Sequence, residues 1–235
     1  MPSFEVIPVV DLMGGVVVHA RAGERERYRP VETPLAPSAE PGDVISGLLS
    51  LHPFRSLYIA DLDAIQGRAG HVAAVRALKG RFPGVAFWVD AAFAGECSCR
   101  RFLGCGMGRL VLGSESQSGT GLLEALAGEE GVVLSLDFRG DARLGPAEVF
   151  ERRDLWPRRL IVMTLAAVGG GGGPDYGRLG EVLAAAGEGR EVYAAGGVRG
   201  AADLERLAGM GCAGALVASA LHDGRIGKGE LGRFG

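Results

Sequence analysis

Short runs of consecutive apolar, β-rich residues alternate along the chain with stretches in which apolar residues recur at helical spacing. The runs predict eight strands: Glu5–Leu12, Ser56–Asp61, Val85–Asp90, Arg109–Gly113, Val132–Phe138, Leu160–Thr164, Glu191–Ala195 and Gly214–Ala218. The intervening stretches predict helices over Gly42–Leu51, Val72–Arg81, Ser98–Leu103, Gly121–Ala127, Pro146–Arg152, Tyr176–Ala186 and Ala201–Leu207, with a short helical piece at the C-terminus. The strands are apolar without alternation, as in a parallel sheet covered on both faces. Eight such βα units in 235 residues predict an α/β fold of the closed (β/α)8 TIM-barrel type, with 1–235 as a single domain. No Gly-x-Gly-x-x-Gly follows the first strand, which argues against an open dinucleotide-binding sheet.

The barrel also reads as two similar halves. Phe87-Trp-Val-Asp-Ala-Ala-Phe at the third strand is similar to Val192-Tyr-Ala-Ala-Gly-Gly-Val at the seventh, and Leu110-Val-Leu-Gly-Ser-Glu-Ser at the fourth to Ala215-Leu-Val-Ala-Ser-Ala-Leu at the eighth. Both pairs share one offset: Val89 to Ala194 and Ser114 to Ser219 are each 105 residues apart. Val9-Val-Asp11-Leu and Leu134-Ser-Leu-Asp137-Phe, at the first and fifth strands, are 126 apart, so the first half carries a surplus. The polar stretch Arg21–Pro41 supplies it as a long loop after the first strand, over the face where such loops usually serve function.

Glycine is the compositional outlier, 40 of 235 residues, yet no G-X-Y period accompanies it and apolar runs recur throughout, which excludes a collagen-like or disordered chain. A net charge of −3 makes no electrostatic case for nucleic acid or an anionic membrane surface. The longest apolar stretches, such as Val6–Val10, fall far short of the roughly 20 residues of a membrane helix, and Met1-Pro-Ser-Phe-Glu has no secretory pattern. Cys97, Cys99, Cys105 and Cys212 form neither a disulfide framework nor a set at ligand spacing from His19, His52, His71 or His222. The expectation is a cytoplasmic protein without a metal or redox cofactor, acting on a small molecule; its oligomeric state is open.

Polar residues at the strand ends carry the candidate chemistry, because in this architecture they open onto the catalytic face. Asp11 ends the first strand and Asp137 the fifth, on opposite sides of an eight-strand ring. Two such carboxylates suit general acid/base work; the plainer alternative is that each caps the next helix or pairs with Arg21 or Arg139. Gly196-Gly197 after the seventh strand and Ala218-Ser219 after the eighth offer backbone N–H groups to a phosphate, or simply make tight turns. Gly113-Ser114 stands at the equivalent place in the first half and suggests a second anion site, but Asp90 beside it would repel phosphate and suit a hydroxyl-rich or cationic group. Arg21, Arg25, Arg27 and Arg29 bring positive charge over the mouth, or form a solvated loop balanced by Glu24 and Glu26. The run Gly169–Gly173 reads as a lid, a flexible segment, or a nest of N–H groups.

Ile7-Pro-Val-Val-Asp11-Leu, Gly15-Val-Val-Val-His19, Ala60-Asp61-Leu-Asp63, Gly113-Ser114, Leu136-Asp137, Thr164, Gly196-Gly-Val and Val217-Ala-Ser-Ala together resemble the phosphoribosylformimino-aminoimidazole-carboxamide ribotide isomerase family of histidine biosynthesis. The resemblance implies an Amadori rearrangement of an N-glycosidic ribose phosphate, with Asp11 as general base and Asp137 as general acid. It further implies Thr164 near the substrate and a phosphate on Gly196, Gly197, Ala218 and Ser219. Two stretches depart: Val168 with Gly169–Gly173 and Pro174-Asp175 stands where the family has Asp-Gly-Thr, and Asp90-Ala91-Ala92 where it has a Gly-rich phosphate turn. His19 with Arg21 and Arg25, Asp61-Leu-Asp63 and Val89-Asp90-Ala91 resemble instead an offshoot found in methanogens and methylotrophs. That likeness implies substrate contacts at His19, Arg21, Arg25, Asp61 and Asp90, and a role in one-carbon cofactor biosynthesis. A lyase or cyclase on the same carboxylates, and a non-catalytic ligand-binding or assembly protein, are the competing readings.

Overall fold

All eight predicted strands form, because each is a mainly apolar run that needs cover on both faces. A computed structural model describes residues 4–20, 25–169 and 171–234. In it the strands are β1 (Glu5–Met13), β2 (Ser56–Asp61), β3 (Ala86–Asp90), β4 (Arg109–Gly113), β5 (Val132–Arg139), β6 (Arg159–Thr164), β7 (Glu191–Ala195) and β8 (Gly214–Val217). They are parallel in sequence order, and β8 pairs back onto β1 with Glu5 opposite Gly214 and Pro8 opposite Val217, so the sheet closes. Helices including Pro41–Leu51, Val72–Arg81, Glu96–Gly104, Tyr176–Ala186 and Ala201–Gly209 follow the strands. The fold is a (β/α)8 barrel.

The unbroken apolar runs have a simple cause. Successive side chains of one strand go to opposite faces, and here both faces are buried. Leu57 and Ile59 join the layer between sheet and helices, while Tyr58 between them joins the barrel interior with Ile7, Trp88, Val111 and Ile161. Trp88 of β3 and Tyr193 of β7, 105 residues apart, meet edge to face at 4.8 Å across the axis. Below them Arg159 pairs with Glu191 at 3.0 Å. The barrel is therefore filled at the N-terminal ends of its strands.

The long segment after β1 is more ordered than a loop. Beyond the barrel β1 turns at Gly14-Gly15 (φ 59° and 82°) into the antiparallel strand Val16–His19, which pairs onward with Arg29–Pro30. Positive φ at both central residues marks a tight hairpin turn, and the Gly-Gly between apolar runs is the sequence signal for it. In the second half β5 likewise folds back onto Ala142–Leu144. Among the described residues no helix is long and apolar enough to cross a membrane.

Candidate active site

Above the Trp88–Tyr193 pair the barrel opens, at the C-terminal ends of its strands, into a cavity whose lining includes Asp11, Tyr58, Asp90, Asp137, Arg139 and Ser219. Asp11 and Asp137 occupy matching places. Each stands where its strand leaves the parallel barrel and enters its hairpin, Asp11 opposite Val18 and Asp137 opposite Leu144. Since β1 and β5 lie across the ring from each other, the two carboxyls meet the cavity from opposite walls.

They are held differently. Asp11 has no side-chain hydrogen bond among the described residues, and desolvation pushes its carboxyl up from 3.8 to about 7. Asp137 is buried and gripped: its Oδ1 accepts from the Ser135 hydroxyl at 2.6 Å, and its Oδ2 accepts from Glu115 N–H at 3.2 Å. Burial raises its carboxyl to about 7 against the Ser135 hydrogen bond, and the negative charge of Asp90 adds to the rise. Asp90, at the end of β3, accepts from Tyr58 Oη at 3.2 Å and from Ala92 N–H at 3.2 Å. Burial, with the charges of Asp90, Asp137 and Asp11, holds the Tyr58 hydroxyl well above its usual range, so it stays a proton donor. Sequence reading passed over Tyr58, although a hydroxyl-bearing aromatic inside Ser56–Asp61 is the one polar group at the centre of that strand.

Across the mouth, Gly196, Gly197, Ala218 and Ser219 all line the cavity. Gly196 and Gly197 have φ of 96° and 84°. A Cβ would lie 2.5 Å from the Thr164 carbonyl oxygen at the first and 2.3 Å from that of Gly173 at the second, so only glycine fits. Ser219 opens the short helix Ser219–His222, and its hydroxyl lies 3.0 Å from His19 Nε2, which ties the first hairpin to this edge. Arg199 and Arg225 stand here too, the former donating to Asp203 at 2.9 and 2.7 Å and the latter to Asp223 at 2.8 Å. Arg139, one inward position beyond Asp137, has no ion-pair partner among the described residues. None of these three arginines was singled out as a site residue from sequence.

Other expectations are corrected. Asp61 is not at the cavity: its carboxylate is 1% exposed and accepts from the backbone of Ala64 and His71 and from His71 Nδ1 at 2.9 Å. It falls one residue out of phase with the inward Tyr58 and Ala60 and secures the turn after β2. Thr164 is buried, and Met163 takes the inward position beside it. Gly113 and Ser114, expected at a second anion site, do not line the cavity. Ser114 is fully buried, accepts from Asp137 N–H at 2.9 Å and donates to the Leu144 carbonyl at 2.7 Å. Arg21 lies outside the described residues, as does the side chain of Arg25. Of the glycine run, Gly169 and Gly171 line the cavity and Gly170 lies outside the described residues.

Among known proteins, the model of the histidine biosynthesis protein family matches residues 5–227. The chain belongs to that family. An uncharacterized protein of Methanocaldococcus jannaschii is 28% identical over 98% of this chain and 99% of its own. Bis-phosphoribosyl imidazole-4-carboxamide isomerases are similar as well: that of Symbiobacterium thermophilum is 29% identical over 94% of this chain and 93% of its own, and that of Rubrobacter xylanophilus 29% over 97% and 95%. As a member of the histidine biosynthesis protein family, the chain therefore matches named isomerases over nearly its whole length.

Proposed function

We propose that this protein is a sugar-phosphate isomerase that carries out an Amadori-type aldose–ketose rearrangement on a ribosylamine 5-phosphate conjugate. One observation carries the reading: two carboxyls on opposite walls of one cavity, both pushed up to about 7. An ordinary carboxyl is almost wholly ionised at neutral pH and a poor acid. With both near 7, a form with one carboxyl ionised and the other protonated is populated, which is what acid and base in one site require.

In the rearrangement Asp137 protonates the ring oxygen and the C1–O4 bond breaks, leaving an iminium at C1. Asp11 takes the C2 proton, giving an enaminol. Return of that proton to C1, with the C2 hydroxyl proton going back to Asp137, leaves a 1-amino-1-deoxy ketose. Atoms and charge are conserved, and both carboxyls end as they began. The assignment of roles follows the surroundings. Asp11, with no donor to spread its charge, is the stronger base once ionised, while Asp137 is fixed in orientation by Ser135 and Glu115. The Gly196-Gly197 turn and Ser219 anchor the 5-phosphate.

The named isomerases among the relatives support the reaction class, and they support a second reading in which the substrate is the bis-phosphoribosyl imidazole carboxamide itself. The likeness to the uncharacterized Methanocaldococcus jannaschii protein supports placing the chain with the offshoot; a role in one-carbon cofactor biosynthesis rests on the sequence resemblance alone. The test is incubation with N-phenyl ribosylamine 5-phosphate, followed by carbon NMR. Loss of the anomeric C1 signal, growth of a C2 ketone and unchanged mass are expected. Asp11→Asn and Asp137→Asn should each lower turnover by about 10²–10⁴ while retaining ribose 5-phosphate binding. A product that has lost a fragment would point to a lyase, and binding without turnover to a ligand-binding protein.

A further inference from the structure

The two halves of the barrel end differently at the places where the repeat aligns them. The 105-residue offset sets Ala91 and Ala92 on Gly196 and Gly197, Asp90 on Ala195, and Ser114 on Ser219. Ala92 has φ 51°, a left-handed backbone that a Cβ disfavours, and Gly197 has φ 84°. Among the described residues Ala92 is the one non-glycine with positive φ. The first half has thus kept the left-handed backbone of the turn's second position, whereas Ala91 does not share the positive φ of Gly196 (96°).

What has changed is who uses the turn. The Ala92 N–H, counterpart of the Gly197 N–H, is taken by Asp90 Oδ1 at 3.2 Å, and Asp90 Oδ2 accepts from Tyr58 Oη at 3.2 Å. The Ser114 hydroxyl is spent on the Leu144 carbonyl, whereas Ser219 reaches the cavity. Asp90 and Asp137 also converge here: a Cβ on Gly113 would lie 3.5 Å from the one and 3.2 Å from the other. We propose that Asp90 fills the first-half anion cradle with the protein's own carboxylate, so that the cavity takes a single phosphate, at Gly196–Gly197–Ser219. The other end of the substrate is then a neutral or cationic hydrogen-bond donor, an amine or hydroxyl group, and not a second phosphate. Arg139 lines the same cavity, but it is one cation against the carboxylates of Asp90 and Glu115. A phosphate at that end would meet like charge in a site of low dielectric.

This deepens the isomerase reading and rests on it for the sugar, but its test needs no turnover. Crystals of the wild type, Asp90→Gly and Asp90→Asn, soaked in inorganic phosphate, are compared by the number of anions at the barrel mouth. Solution titrations monitored by phosphorus NMR give the stoichiometry independently. One anion in the wild type, beside Gly197 and Ser219, and a second beside Ala92 in either variant is the expected result. Two anions in the wild type, or one in the wild type and both variants, would overturn the inference and leave the isomerase reading intact. No anion beside Gly197 in the wild type would remove the phosphate anchor on which both depend. Should Asp90→Gly fail to fold, Asp90→Asn, which keeps the side chain's shape, decides.

Discussion

Asp11 keeps its chemistry at the expense of the fold. Its carboxyl sits at about 7 against an ordinary 3.8, so the folded state holds that proton more tightly than the unfolded chain does. Its burial is harmless below about pH 4; stability then falls as pH rises towards 7 and stays lower above it. Asp11→Asn should therefore raise stability at pH 8 by on the order of 1–3 kcal/mol and change little at pH 4, by calorimetric melting at the two values. Asp137→Asn should gain less or lose, because an amide NH2 would face the Ser135 hydroxyl or the Glu115 N–H where oxygen now accepts. The proposed rearrangement uses Asp11 ionised and Asp137 protonated, so kcat/KM should follow a narrow bell centred near pH 7. In Asp90→Asn the alkaline limb should move to lower pH, since the charge that helps hold the Asp137 proton is gone. At this scale Asp11 and Asp137 were legible as acidic strand ends. Asp61 was not distinguishable from them, because a one-residue change of phase turns a side chain from the cavity to the helices.

Between residue and molecule, the turns do the positioning. The Gly196-Gly197 turn is wedged between the Thr164 and Gly173 carbonyls, leaving no room for a Cβ. Gly197→Ala combines that clash with φ 84°, and should cost about 1–3 kcal/mol in urea unfolding while weakening ribose 5-phosphate binding by at least about ten-fold in calorimetric titration. A variant as stable and as tight as the wild type would remove the turn from the phosphate site. Strands and long helices were read from the sequence to within a few residues because each is dictated by local periodicity. The strand Val16–His19 is absent from the predicted elements, since only its Gly14-Gly15 turn announces it and its outer partner, Arg29–Pro30, lies within the stretch read as loop.

Across the whole barrel, the site is held by contacts between chain ends. His19 meets Ser219 from 200 residues away, and Thr33 Oγ1 lies 3.3 Å from His222 Nδ1, so the first hairpin is fastened to the edge where β8 ends. A phosphate bound there bridges elements that the unfolded chain does not bring together. Ribose 5-phosphate at about one hundred times its Kd should stabilise by about 2.7 kcal/mol, a rise in Tm of roughly 5–10 °C for a chain this size; an unchanged melt at saturating ligand would count against the anchor. The eight βα units, the repeat and the parallel sheet were written in the sequence by itself, because hydrophobic period and turn residues act over a few positions. Tertiary structure alone decided that Asp11, Asp90 and Asp137 share one cavity while Asp61 and Thr164 do not, that Ser114 is spent on the Leu144 carbonyl, and that Tyr58 sits amid the carboxyls. Desolvation has the same origin: a carboxyl is lifted to about 7 only by groups that closure of the barrel gathers from distant parts of the chain.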